Sequence, residues 1–213
     1  MKLNSLRDVL AECVRDLYSA ETQLTKALPR MAKATKSPEL KAAFTEHLEV
    51  TRGQAARLEQ ICEQMGIKAK GKTCAAMKGL IEEGAEVIGE DGTPAAKDAA
   101  MIVAAQKIEH YEIAGYGSCH TFAVVLGETE IAELLKQTLA EEVEADKKLT
   151  MIAESTVNDE ASREEDSDEG HDDDDGEDEE GGDEDEADAE EEAPTRGAKS
   201  APAKATAPKS GKR

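Results

Sequence analysis

The chain has 213 residues, with 48 Asp plus Glu against 26 Lys plus Arg, four Cys, three Tyr, two Phe and no Trp, a length that allows one or two domains. Its charge of −22 is unevenly spread: residues 158–193 hold 23 acids and one Arg, residues 194–213 hold six bases and no acid, and residues 1–157 carry only −6. No apolar stretch reaches the roughly 18–20 residues of a membrane span, and Met1 to Leu10 lacks a signal-peptide core, so a soluble, cytoplasmic protein with no membrane partner is expected.

In chain order the pattern is helical almost throughout, with Leu, Ile, Ala, Glu, Gln and Lys dominant and apolar positions recurring every three or four residues. A first long helix is predicted over about Ser5 to Thr35, bent near Pro29. Ser37-Pro38-Glu39 starts a second, because Ser caps free amides and Pro is tolerated at the first helical position; it ends near Met65, before Gly66. A shorter amphipathic helix follows at about Cys74 to Gly89. Thr93-Pro94 starts the third long helix, stopped by Gly127 after about Leu126, and the fourth runs from about Glu130 to Thr156. Short links within each pair make antiparallel hairpins, and one long crossover between two hairpins is the connection pattern of ferritin-like bundles. The predicted class is therefore all-α, a ferritin-like four-helix bundle over residues 1–157 whose crossover carries a short extra helix. A disordered acidic tail is expected over 158–193, where apolar residues vanish, and a disordered basic Lys/Ala/Pro tail over 194–213.

Adding about 100° per residue locates the inward face of each long helix, and that face contains acids. Glu21 falls within about 60° of the first stripe's centre, and His47 about 60° from the second's, with Glu49 pointing outward. On the third, Glu109 is almost central, with Glu112 and His110 about 80° to either side. On the fourth, Glu142 is almost central and Asp146 lies one turn on, about 60° off. Buried carboxylates require a compensating positive charge, and no inward Lys or Arg is evident. Two iron or manganese ions held by Glu21, His47, Glu109, Glu112, Glu142 and Asp146 would supply it. Against this stand the abundance of Glu on exposed helix faces and the absence of Glu-x-x-His: Glu49 is followed three residues later by Arg52, and Glu142 three residues later by Ala145. Tyr18 and Tyr111 read as packing residues. The four cysteines, Cys13, Cys62, Cys74 and Cys119, have no short paired spacing, which suggests neither a zinc ribbon nor a disulfide framework and predicts reduced thiols.

The segments Asp16-Leu-Tyr-Ser-Ala-Glu21, His47-Leu-Glu49, Gly79-Leu-Ile-Glu-Glu83, Lys107-Ile-Glu-His-Tyr-Glu-Ile-Ala114 and Leu139-Ala-Glu-Glu142 with Asp146 resemble the YciE/YciF family of ferritin-like bacterial stress proteins, over about residues 3–155. The resemblance implies a homodimer, a rubrerythrin-like dimetal centre and a part in stress responses. Two readings of function follow. One is a dimetal oxidoreductase acting on peroxide, dioxygen or ferrous iron. The other is a structural or interaction protein whose acidic tail holds a basic protein partner or maintains solubility. Six spaced bases without aromatics are a poor nucleic-acid signal, and nothing specifies a large storage cage.

Overall fold

The computed structural model describes residues 3–168, and side chains as far as Arg163. Five helices build the bundle: α1 (Leu6–Ala34), α2 (Pro38–Gln64), α3 (Ala75–Gly89), α4 (Pro94–Val125) and α5 (Thr129–Ile152), with no strand among the described residues. The sequence signals act as expected at most ends. The Ser5, Ser37 and Thr93 hydroxyls accept from the amides of Asp8, Leu40 and Ala96, and α1 runs through Pro29. Gly66 and Gly127 sit at φ +68° and +72°, a left-handed turn that lets Ile67 and Glu128 donate back to Cys62 and Ala123.

Side-chain pairs fix the directions of the helices. Glu46 with Lys148, and Arg57 with Glu141, run α2 against α5; Asp16 with Tyr111, and Glu21 with Tyr116, run α1 alongside α4. Leu17 against Gly115 and Thr35 against Asp98 show that this second pair is antiparallel as well. Since the short links also make α1 antiparallel to α2, helices α2 and α4 point the same way. The chain must then travel the length of the bundle between them, and the loop before α3, running past Arg15 and Asp16, and α3 itself do so together. The start of α3 is tied to α1: the Cys74 amide donates to Ser19 Oγ at 2.9 Å and Gln23 Nε2 donates to the Cys74 carbonyl at 3.1 Å.

Two apolar clusters fill the interior. One gathers Leu24, Leu28, Leu40, Phe44, Ile102, Ile108 and Leu149; the other gathers Leu10, Leu17, Leu58, Ile61, Tyr116, Cys119 and Leu135. Between them lie buried acids, described below.

The helical chain also continues past the boundary expected at residue 157. A π-turn over Ala153–Val157, in which the Asn158 amide reaches back to Ala153, adds a residue to one turn and returns Val157 to the buried side of Ile152. Helix α6 (Asn158–Asp168) follows, so residues 158–168 correct the expected start of the disordered tail: an anchored helix end extends into acidic sequence. The remainder of both expected tails, residues 169–213, lies outside the described residues. No helix among those described is long and apolar enough to cross a membrane.

One buried carboxylate belongs to the scaffold. Asp98 of α4, 2 % exposed, accepts from Thr35 Oγ1 at 2.7 Å, Lys36 N at 3.0 Å and Ser37 N at 2.6 Å, thereby holding the whole α1–α2 turn. Replacing Asp98 with Ala orphans those donors, and the expected loss is about 2–4 kcal/mol in urea unfolding. A loss below about 0.5 kcal/mol would contradict this role.

Candidate metal centre

Glu21 of α1, Glu109 and Glu112 of α4, and Glu142 of α5 are all between 0 and 3 % exposed, at the level where the two apolar clusters meet. His47 of α2 joins them with its side chain 11 % exposed. Ligand atoms of His47, Glu109 and Glu142 lie within 4.8 Å of one another, and so do those of Glu21, Glu112 and Glu142. Glu142 is common to both groups, so the site has two positions with one shared carboxylate.

The hydrogen bonding is incomplete in a specific way. Tyr116 donates its hydroxyl to Glu21 Oε1, yet Glu21 Oε2, His47 Nε2, Glu109 Oε2, both oxygens of Glu112 and both of Glu142 are buried without a partner. His47 Nε2 approaches Glu109 Oε1 at 3.3 Å without the alignment of a hydrogen bond. Buried polar atoms are ordinarily paired, so seven orphans at one spot describe a site shaped for something that accepts many lone pairs at once. The nearest cation is already engaged. Arg57 forms a two-pronged pair with Glu141 at 2.9 and 3.0 Å and also bonds Thr138, and among the described residues no Lys or Arg pairs with the four acids. Arg57 reaches further inward than the sequence pattern suggests, but it neutralises the neighbour rather than the cluster.

Burial governs the protonation. It pushes Glu21 up to about 8, against the pull of the Tyr116 hydrogen bond, and Glu109 up to about 8, with the charges of Glu21 and Asp146 adding to the rise. Glu112 and Glu142 are raised further, by burial first and by neighbouring carboxylates second. Burial also pushes His47 down to about 4, leaving a neutral imidazole whose free Nε2 is a ready metal ligand.

Of the six residues singled out from sequence, the fold brings together Glu21, His47, Glu109, Glu112 and Glu142. Asp146 is the correction. It accepts from Gln106 Nε2 at 3.2 Å and faces the exposed His110 at 3.4 Å, because four residues beyond Glu142 the helix has turned about 400° and risen about 6 Å. Glu49 pairs with Arg52 at the surface. Sequence reasoning missed Tyr116 as a partner of Glu21, and missed Gln54, fully buried on α2 with Oε1 unpaired and Nε2 donating to Glu141 at 3.3 Å. The only available signal for Gln54 was a long polar side chain seven residues from His47 on the inward face.

Residues 5–162 match a family described as a domain of unknown function, DUF892. The chain belongs to the DUF892 family. It is 48 % identical over 162 residues to Protein YciF of Escherichia coli strain K12, spanning 76 % of this chain and 98 % of that protein. The crystal structure of the E. coli stress protein YciF aligns with a TM-score of 0.70 over 73 % of this chain and 98 % of that one. YcfI of Rhodopseudomonas palustris, 40 % identical, aligns at 0.69 over 71 % and 97 %. A structure of ferritin-like, diiron-carboxylate proteins from Bacillus anthracis strain Ames aligns at 0.56 over 71 % and 99 %, at 16 % identity, a likeness of fold alone. The DUF892 chain thus has the ferritin-like fold expected from its helix connections.

In the cation-free protein the acids make stability depend on pH in a definite direction. The folded state keeps the Glu21 and Glu109 protons up to about pH 8, whereas unfolded carboxylates release theirs near 4.5, so folding takes up protons across that window and stability falls as pH rises. His47 acts oppositely, but only between about 4 and 6.5. Thermal melts of chelator-treated protein are therefore expected to drop between pH 6.5 and 8, and added manganese to remove the slope. A flat or rising profile without metal would contradict the buried cluster.

Proposed function

We propose that this DUF892 protein is a stress-response protein whose bundle holds two iron or manganese ions among Glu21, His47, Glu109, Glu112 and Glu142. Their task is to consume peroxide, dioxygen or ferrous iron. The observation that supports this most strongly is the set of seven buried, unpartnered donor atoms divided into two groups that share Glu142. Four ionised carboxylates carry −4 and two divalent ions carry +4, so the pair neutralises the cluster without any other cation. A donor set of carboxylates with a single imidazole and no thiolate suits iron or manganese. When bound, such a pair supplies electrons to peroxide or dioxygen.

The chain's own residues prepare that chemistry. Tyr116 fixes Glu21 through one oxygen and leaves the other directed inward. Glu142 answers to both positions. Neutral His47 offers a nitrogen without having to lose a proton at physiological pH. Leu24, Leu28, Phe44, Ala105, Ile108 and Leu149 line a cavity of about 250 Å³ that reaches His47 and Glu109 from a mouth at Glu46, Glu144 and Lys148. Its volume admits small oxidants and ions to the acids.

Elemental analysis of protein purified without chelator is expected to find about two ions of iron or manganese per chain, and the Glu112→Gln plus Glu142→Gln variant, similar in shape, to lose them. Equal metal content in the two proteins would overturn the assignment. The homodimer implied by the resemblance belongs to the same proposal: native mass measurement is expected to give about twice 22.8 kDa, and a monomer would refute it.

A further inference from the structure

The seam between α1 and α4 carries a second cluster, about two helical turns from Glu21. Gly115 of α4 packs directly on Leu17: a Cβ at position 115 would meet Leu17 Cδ2 at 2.8 Å, so the leucine tip fills the space that the glycine leaves. The two helices are antiparallel, and one turn back from Leu17 and one turn on from Gly115 the facing residues are Cys13 and Cys119. Cys119 belongs to the apolar cluster against which Cys13 packs, so the two sulfurs lie on one side of the seam, one helical turn from the Leu17–Gly115 contact. Cys119 is fully buried, whereas Cys13 is only half-buried and opens on a recess of about 240 Å³ that it shares with Lys72, Glu12, Asp16 and Tyr111.

The geometry points to Cys13 and Cys119 as a peroxide-reactive dithiol that closes to a disulfide between α1 and α4. The Cys13 thiolate attacks one oxygen of a hydroperoxide; the O–O bond breaks, and the leaving alkoxide or hydroxide takes up a proton to become alcohol or water. Cys13 is left as a sulfenic acid. Cys119 sulfur then attacks Cys13 sulfur, the S–O bond breaks, and hydroxide leaves with the Cys119 proton as water. In total two thiols give up two electrons and two protons, and the peroxide is reduced by two electrons.

The surroundings divide the labour between the two sulfurs. The neighbouring Cys119 thiol, helped by the Lys72 ammonium and opposed by burial, Asp16 and Glu12, brings the Cys13 thiol down to about 7. Cys119 is raised, by the neighbouring Cys13 first and burial second, and stays protonated until the sulfenic acid forms. The remaining thiols are occupied or enclosed. Cys74 Sγ accepts from the Met77 amide and contacts Tyr111 Oη at 2.9 Å, and Cys62 lies 2 % exposed in the core.

The test treats the reduced full-length chain with about one equivalent of hydrogen peroxide, both as purified and after chelation, and follows thiol titration and intact mass. Expected in both arms are the loss of two thiols, a mass decrease of about 2 Da and a peptide linking Cys13 to Cys119. Cys119→Ser is expected to leave Cys13 as a sulfenic acid trappable by dimedone. In the wild-type protein, which needs no variant to fold, Cys13 should react about tenfold or more faster than Cys62 or Cys74. Four surviving thiols, a bridge between other cysteines, or oxidation that disappears on chelation would each overturn the proposal.

Discussion

Everything in this bundle is arranged around the removal of four carboxylates from water. A carboxylate loses several kcal/mol of hydration when it is buried, and here Glu21, Glu109, Glu112 and Glu142 are buried together with one phenol, one neutral imidazole and no free base nearby. Without cations the cluster survives by holding protons, which places its acids far from their ordinary range. With two divalent ions the same geometry becomes neutral and its open valences are filled. The long crossover serves that arrangement, since four helices in this connection let α1, α2, α4 and α5 each contribute a side chain to the cluster.

The α1–α4 seam organises much of the remaining chemistry. From Glu21 to Cys13 the distance along α1 is about 12 Å, and within that span lie the Tyr116, Tyr111 and Gly115 contacts with α4. Tyr111, which reads as a packing residue, donates to Asp16 and meets Cys74, so it ties α1, α4 and the start of the crossover helix into one unit. A disulfide between Cys13 and Cys119 would lock that seam one turn beyond Gly115. The proposed dithiol and the acid cluster would act through separate groups at two levels of this one seam.

The helices and their order were legible because helical period, Ser-Pro and Thr-Pro starts and left-handed glycines are local signals. The acids at stripe centres, Glu109 and Glu142, were legible for the same reason. Glu112 was harder: α4 is covered by α1, α3 and α5, so its buried residues, from Asp98 through Ala123, spread around most of the helix and no single stripe direction describes it. Asp146 illustrates the opposite error, a residue near the stripe in angle but one turn too far along. Asp98, Gln54, Tyr116 and the Cys13–Cys119 pair depend on which residues of distant helices meet, and one helix's pattern does not encode that meeting. The end of the helical region was placed too early because composition alone cannot register a π-turn that returns Val157 to the core.

Anomalous X-ray diffraction at the iron and manganese edges, from crystals grown without chelator, tests the central claim most directly. The account predicts two peaks, one beside His47 and Glu109 and the other beside Glu21 and Glu112, with Glu142 close to both. A site without anomalous density, or metal bound only to surface acids, would contradict it.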